Sequence, residues 1–249
     1  MLLNTEGLIL KEQNIGESDR LVTVLTRQQG LMRAFVRGAK RIKNRNASST
    51  QLLCYSRLSV YRGKEKNVID EAEAVEVFFE LRQDIESLAL AQYFCELTLA
   101  LAPEDGEAGE FLRLVLNALY LLAHGKRPPA QIKAVLEMRM LSLAGYLPDL
   151  LYCQGCGAYE SDTVYFLPRQ GILLCHACYT KARRREGVPL GRGVLTALRH
   201  TVYADFEKVF SFTMSEKGLC SLALAAEQYV AERLERSFAT LHFYHQIKT

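Results

Sequence analysis

Two cysteine pairs constrain this chain more than any other feature. Cys153-Gln-Gly-Cys156 and Cys175-His-Ala-Cys178 stand eighteen residues apart. Each CxxC presents two thiolates to one side of a tight turn, and together the pairs supply the four soft ligands that a tetrahedral zinc ion prefers. Gly157 directly follows the first pair, where a glycine lets backbone N–H groups turn toward the sulfurs. Four thiolates close the coordination shell, so the expected cofactor is one structural Zn2+. A catalytic ion keeps a position open for water. Neither CxxC is followed by histidine, which removes haem attachment. A thioredoxin-like centre needs only one such pair, set in a βαβ frame that is missing here. His176, inside the second knuckle, is expected beside the metal and not on it. Cys54, Cys95 and Cys220 sit in apolar sequence and are expected in the core.

The rest of the chain must build around that centre, and 249 residues are enough for two domains with real cores. The start, Met1-Leu-Leu-Asn-Thr-Glu6, has no basic segment before an apolar stretch, so no secretory signal is expected. No stretch approaches the ~20 apolar residues that span a bilayer, so no membrane is expected among its partners. Seven cysteines, four of them in metal spacing, fit a reducing cytoplasm and not a disulfide framework.

Charge is segregated along the chain. Residues 1–66 carry 13 Lys/Arg against 5 Asp/Glu, net +8; residues 67–110 carry 1 against 12, net −11; the remainder carries 17 against 11, net +6. A basic module followed by an acidic belt points to a polyanion partner for the amino-terminal end.

The first eighty residues have the character of strands. Thr5–Lys11, Leu21–Thr26, Leu31–Arg37 and Leu52–Arg62 are short, apolar and separated by polar or glycine-containing turns, and Asn67–Phe79 is expected as a fifth. Five strands of this size suggest a small closed barrel. Alternation puts Met32, Ala34 and Val36 on one face of the third strand, with Arg33, Phe35 and Arg37 on the other. It puts Leu52, Cys54, Leu58 and Val60 inside the fourth, with Tyr55, Arg57 and Tyr61 outside. Guanidinium groups interleaved with rings suit a single-strand nucleic-acid platform, where phosphates meet cations and bases stack on rings. Ordinary cross-strand pairing explains the same pattern equally well. The loop Arg37-Gly-Ala-Lys-Arg-Ile-Lys-Asn-Arg45 tips the balance, because its five cations join two strands that already carry outward arginines.

From about Asp84 the period becomes helical. Asp84 is the expected N-cap of a helix through Ala100 that is apolar on nearly every side, with Pro103 beyond its end. A second helix is expected from Glu107 to His124, and a third from Pro128-Pro129 to Gly145, with Ile132, Leu136, Met140 and Leu143 as its one buried stripe. The cysteine segment, about 150–180, interrupts this helical region. The basic run Lys181-Ala-Arg-Arg-Arg185 is either a second polyanion contact or a solvated linker. Helices near Val194–Tyr203 and from Ser215 complete the chain; His242 and His245, three apart with no third ligand, are not expected to bind metal.

Several segments resemble one bacterial family. Glu6-Gly-Leu-Ile-Leu with Gly16-Glu-Ser-Asp-Arg20, the turn Arg37-Gly-Ala-Lys-Arg41, and Leu143-Ala-Gly-Tyr-Leu-Pro148 leading into Cys153 resemble, in order and over nearly the whole chain, the recombination mediator family RecO. The resemblance implies an α+β chain: an oligonucleotide-binding (OB) β-barrel over 1–80, then a helical domain over 81–249 with an inserted four-cysteine zinc module at about 150–180. It implies binding of single- and double-stranded DNA, annealing of complementary strands, and work with RecR to load RecA onto DNA coated by single-stranded DNA-binding protein. The acidic carboxy-terminal tail of that protein is the expected contact of the helical domain, and the location is cytoplasmic, at the nucleoid. Arg33, Arg37, Lys40, Arg41, Lys43 and Arg45 become candidate phosphate contacts, with Arg57 on the same outer face. Phe35, Tyr55 and Tyr61 remain candidate stacking residues on the strand pattern alone. The metal ligands are Cys153, Cys156, Cys175 and Cys178. Within Gly16–Arg20, a structural role is expected for Arg20, paired with Glu17 or Asp19.

Two rival functions follow from the same residues. A metal-dependent nuclease would draw on Asp70, Glu71, Glu73 and Glu76, yet no nucleophile, histidine or phosphate loop accompanies them, so no enzyme is expected. A zinc-ribbon transcription regulator would bind duplex DNA sequence-specifically by reading base edges from a helix.

Overall fold

The computed structural model describes residues 1–41, 44–183 and 186–248. The chain packs as two compact units, Met1–His124 together with Phe238–Thr249, and Gly125–Ser237.

In the first unit, β1 (Leu2–Ile15), β2 (Asp19–Thr26), β3 (Gly30–Val36), β4 (Tyr55–Arg62) and β5 (Asn67–Glu76) close into a barrel in the order β1-β2-β3-β5-β4. The closing pair is parallel, Ala34 opposite Asn67 and Phe35 opposite Val68; the other pairs are antiparallel. The alternation read from the sequence holds: Met32, Ala34, Val36, Cys54, Leu58 and Val60 join Ile9, Val22, Val24 and Ile69 in the interior. Leu52 does not, because β4 begins at Tyr55 and Leu52 lies in the preceding turn. Leu8, Leu10 and Leu25 are also buried, where α1 (Ile85–Leu101) and α2 (Gly109–Ala123) lie against β1 and β2. Burial on both faces is why this part of β1 shows no alternation.

Asp84 caps α1 as expected: its carboxylate accepts from the Ser87 N–H at 2.8 Å. The β2–β3 turn is closed over by the segment between the helices. The Leu31 N–H donates to the Pro103 carbonyl (2.9 Å) and the Ala108 N–H to the Arg27 carbonyl (2.7 Å). A β-carbon at Gly30 would stand 2.2 Å from the Pro103 oxygen, so only glycine admits that approach. The carboxy-terminal α7 (Ala239–Ile247) returns to this unit, and Phe238 meets Tyr93 edge-on at 5.5 Å. The sequence pattern ran this stretch on from Ser215; Glu235, at φ +47°, ends the preceding helix instead.

In the second unit, α3 (Pro129–Leu143) packs on α5 (Arg192–Tyr203) and α6 (Glu216–Leu234). A single buried stripe was expected on α3, but Gln131 through Met138 are buried without a break. Lys133 and Glu137 are included because they pair with each other (2.8 Å), and Lys133 also reaches Glu227 on α6 at 2.7 Å. The cysteine segment forms a three-stranded antiparallel sheet, β7-β6-β8, from β6 (Thr163–Leu167), β7 (Ile172–Cys175) and β8 (Val188–Gly191), with the short α4 (His176–Lys181) after β7. Cys54 and Cys95 are buried as expected, whereas Cys220 is exposed on the outer side of α6. Arg184 and Arg185 lie outside the described residues, so the basic run is seen only as far as Arg183.

Candidate metal centre and candidate nucleic-acid face

The cysteine pairs meet because the β6–β7 hairpin folds back on the first knuckle. Cys153 bridges to Leu173 on β7, Cys175 ends that strand, and Cys178 stands in the first turn of α4. The four sulfur atoms lie within 4.8 Å of one another. Cys156 and Cys175 are 3.8 Å apart, which matches the edge of a tetrahedron whose metal–sulfur bonds are about 2.3 Å, namely about 3.8 Å. The backbone prepares the site for anionic sulfur. Cys153 Sγ accepts from the N–H groups of Gly155 (3.3 Å) and Cys175 (3.2 Å). Gly157 contributes differently from its expected role: with φ +75° it donates to the Cys153 carbonyl at 2.8 Å and closes the turn. Gly155 has the steric duty, since a β-carbon there would lie 2.8 Å from Cys178 Sγ.

Burial alone would raise the Cys153 thiol, but the N–H donors from Cys175, Gly155 and Cys156 bring it down to about 6. Contact with Cys175 and then Cys156 pushes Cys178 up to about 12. Four thiols clustered in this way can hold one metal ion, and their chemistry is consistent with zinc. His176 is not in the set; its ring nitrogen faces the Tyr165 hydroxyl at 3.5 Å.

The candidate nucleic-acid residues fall into two groups on the barrel. Arg45 pairs with Glu71 at 2.8 Å, and Arg57 with Glu6 (3.2 Å) and Glu73 (3.5 Å). Tyr55 donates its hydroxyl to Glu6 at 2.7 Å and is pushed up to about 12 by burial and that carboxylate. Arg45 and Arg57 line a groove with Glu71 and Glu73 of β5. They are cations already balanced by carboxylates, a pairing the barrel register imposes by setting Arg57 opposite both Glu6 and Glu73.

The second group shares another part of the surface. The register aligns Leu21, Phe35, Val68, Tyr61 and Leu2 across β2, β3, β5, β4 and β1 as one outward row. Tyr61 and Leu2 are more than half exposed. Arg33 is exposed beside Phe35 on β3, and Lys66 stands 5.5 Å from the Phe35 ring. Lys66 and Arg62 line the groove beside this row, and sequence reasoning missed both. Their signal is Arg62-Gly-Lys-Glu-Lys66, a second basic run in the β4–β5 hairpin.

Beyond Phe35 the chain reaches the basic loop, which is fastened to the β1–β2 turn. Asp19 accepts from the Gly38 N–H (2.8 Å) and the Ser18 hydroxyl (3.1 Å); these bonds, with Arg37 and Arg41 nearby, hold its carboxyl below the usual range. The Lys40 N–H donates to the Ser18 carbonyl at 3.1 Å and its ammonium to the Gly16 carbonyl at 3.3 Å. Arg37, Lys40 and Arg41 are exposed; Lys43 lies outside the described residues. Arg20 is structural, though its carboxylate partner is Glu12 (3.4 Å) and not Glu17 or Asp19. It also donates to the Ala47 carbonyl at 3.0 Å, pinning the loop.

An OB-like barrel followed in sequence by a helical region with four clustered cysteines that could hold a metal ion defines a narrow class of protein. Residues 1–78 match the family model Recombination protein O N terminal, and residues 82–242 match Recombination protein O C terminal. The chain is 34% identical over 241 residues to a DNA repair protein RecO of Acetivibrio thermocellus, covering 97% of this chain and 95% of that one. It is 31% identical over 246 residues to that of Symbiobacterium thermophilum, covering 97% and 96%. The chain belongs to the RecO family of DNA repair proteins. Among the described residues no helix is long and apolar enough to cross a membrane.

Proposed function

We propose that this protein is a mediator of DNA repair and homologous recombination. It binds single- and double-stranded DNA through the barrel and anneals complementary strands without nucleotide hydrolysis. With RecR it helps load RecA onto DNA coated by single-stranded DNA-binding protein, whose carboxy-terminal tail the helical region grips. The protein acts by binding and not as an enzyme, in the cytoplasm at the nucleoid, and its four thiolates hold one structural Zn2+.

The observation that carries this reading is the surface formed by Arg33, Phe35 and Tyr61 with the loop cations Arg37, Lys40 and Arg41. Rings for bases and cations for phosphates lie on one exposed side of a barrel. Lys66 and Arg62 extend it. Arg45 and Arg57 take a lesser role, since phosphate must first displace their carboxylates; exposed pairs of this kind are worth only about 0–1 kcal/mol each, so displacement is within reach. Contacts of this sort read backbone and not sequence, which distinguishes the mediator from a sequence-specific zinc-ribbon regulator.

The test mixes two labelled complementary strands with the zinc-loaded protein, free of nucleotide and magnesium, and follows pairing by energy transfer. Salt-sensitive acceleration is expected. Replacing Arg37, Lys40 and Arg41 together by alanine is expected to weaken binding to all sequences alike and to lower the log–log salt slope for single strands by about 2. Retained affinity in that variant would remove the barrel-face reading.

A further inference from the structure

The β1–β2 hairpin runs past the barrel core. Ile9 and Leu10 are buried, but every residue from Lys11 to Glu17 is exposed. At its tip stands Ile15, 41% exposed, beside Gly16, whose φ of +57° turns the chain. Cations of the basic loop stand beside this turn. The Lys40 ammonium rests on the Gly16 carbonyl. Arg37 and Arg41 lie close enough to Asp19 to lower its carboxyl, and Asp19 is the cross-strand partner of Ile15.

Two features of the barrel give the tip a direction. The β2–β3 turn is covered by residues 103–108, and the hairpin tip and basic loop lie at the opposite end of β2. The row Tyr61, Val68, Phe35 continues across the strands to Leu21 and Gln13, two residues short of Ile15, and Arg37 stands two residues beyond Phe35 on β3. A single strand stacked on the row would therefore arrive at Ile15 with its phosphates among Arg37, Lys40 and Arg41.

We propose that the hairpin tip is a wedge for the junction between single- and double-stranded DNA, with Ile15 seated against the last base pair. The inference rests on the DNA-binding reading of the same barrel face and specifies its substrate. An aliphatic side chain inserted within a duplex must unstack a step at a cost of a few kcal/mol. At a junction one face of the terminal pair is already free, so a single isoleucine covers it without that cost. Glu17, exposed on the other side of Gly16, repels phosphate and keeps the backbone on the Lys40 side.

The experiment uses a duplex with a single-stranded overhang and 2-aminopurine in the terminal pair, compared with the same single strand and with a blunt duplex. The full-length zinc-loaded protein is expected to prefer the overhang substrate and to change the 2-aminopurine emission on binding. In Ile15→Ser the preference for the junction over the single strand is expected to fall roughly three- to tenfold, as for loss of one apolar contact, and the emission change to vanish. Ile15→Leu is expected to keep both. Binding of single strands with no junction preference, or a preference retained in Ile15→Ser, overturns the wedge while leaving the DNA-binding reading in place. No binding to any of the three DNAs overturns both.

Discussion

Asp84 does for α1 what no other residue of that helix can, because its carboxylate takes up an N–H that the first helical turn leaves without a partner. Asp84→Ala is expected to cost about 1 kcal/mol in urea unfolding, as for other N-caps. The bond to Ser87 lowers the Asp84 carboxyl from its ordinary value of 3.8. A lowered folded-state value means that the stabilisation is complete above the unfolded value and is lost as pH falls through the folded one. The gap between wild type and Asp84→Ala is therefore expected to be constant near neutrality and to close below about pH 4. The same scale shows where residue-level inference stops. Asp84 was legible because an N-cap bonds within its own turn. The partner of Arg20 was not, since Glu12 is brought near by the β1–β2 register and not by adjacency.

Helix α3 shows how an element can be misjudged from its own pattern. Read alone, Lys133 and Glu137 look like the solvated face of an amphipathic helix, spaced for an i,i+4 pair. Packing of α3 on α6 buries both and brings Glu227 to Lys133, whose ammonium is held above its ordinary value: burial pulls it down and the two carboxylates outweigh that. Lys133→Ala leaves a carboxylate inside and is expected to cost about 3–5 kcal/mol in urea unfolding. Lys133→Met together with Glu137→Leu is expected to cost markedly less, since it removes charge along with its partner. Equal losses in the two variants would mean that packing and not charge governs the site. The barrel strands were better read, because one face of each meets the interior and period-two alternation survives. It failed at Leu8–Leu10, where helices cover the second face.

At the scale of the molecule, the four-cysteine cluster joins the knuckle at Cys153, the β6–β7 hairpin and α4 within the Gly125–Ser237 unit, and the proposed zinc would tie them together. Structural zinc sites of this type contribute on the order of 10 kcal/mol to the folded state. Chelation, or Cys153→Ser, is expected to raise hydrogen exchange throughout β6, β7 and α4 while the barrel strands keep their protection. Peptide-resolved hydrogen exchange with and without chelator measures this. Equal deprotection of the barrel, or none anywhere, would contradict a structural ion confined to the second unit. A well-folded variant that lost a chemical activity would indicate catalytic zinc.

The sequence alone determined the inward faces of β3 and β4, the α1 cap and the two cysteine pairs that cluster in the fold, because each depends on short spacings: two residues along a strand, three along a helix, two between paired cysteines. It also supplied the cations and rings of the proposed nucleic-acid face. Which of those cations stand free was decided by tertiary structure. Arg57 and Arg33 have the same outward parity on their strands, yet the barrel closes so that Arg57 lies between Glu6 and Glu73, while Arg33 sits beside Thr23. Pairing across strands fifty residues apart leaves no trace in local periodicity. The return of α7 to Tyr93, the burial of Lys133 and the fastening of the basic loop to Gly16 are likewise set by long-range contacts that only the folded chain brings together.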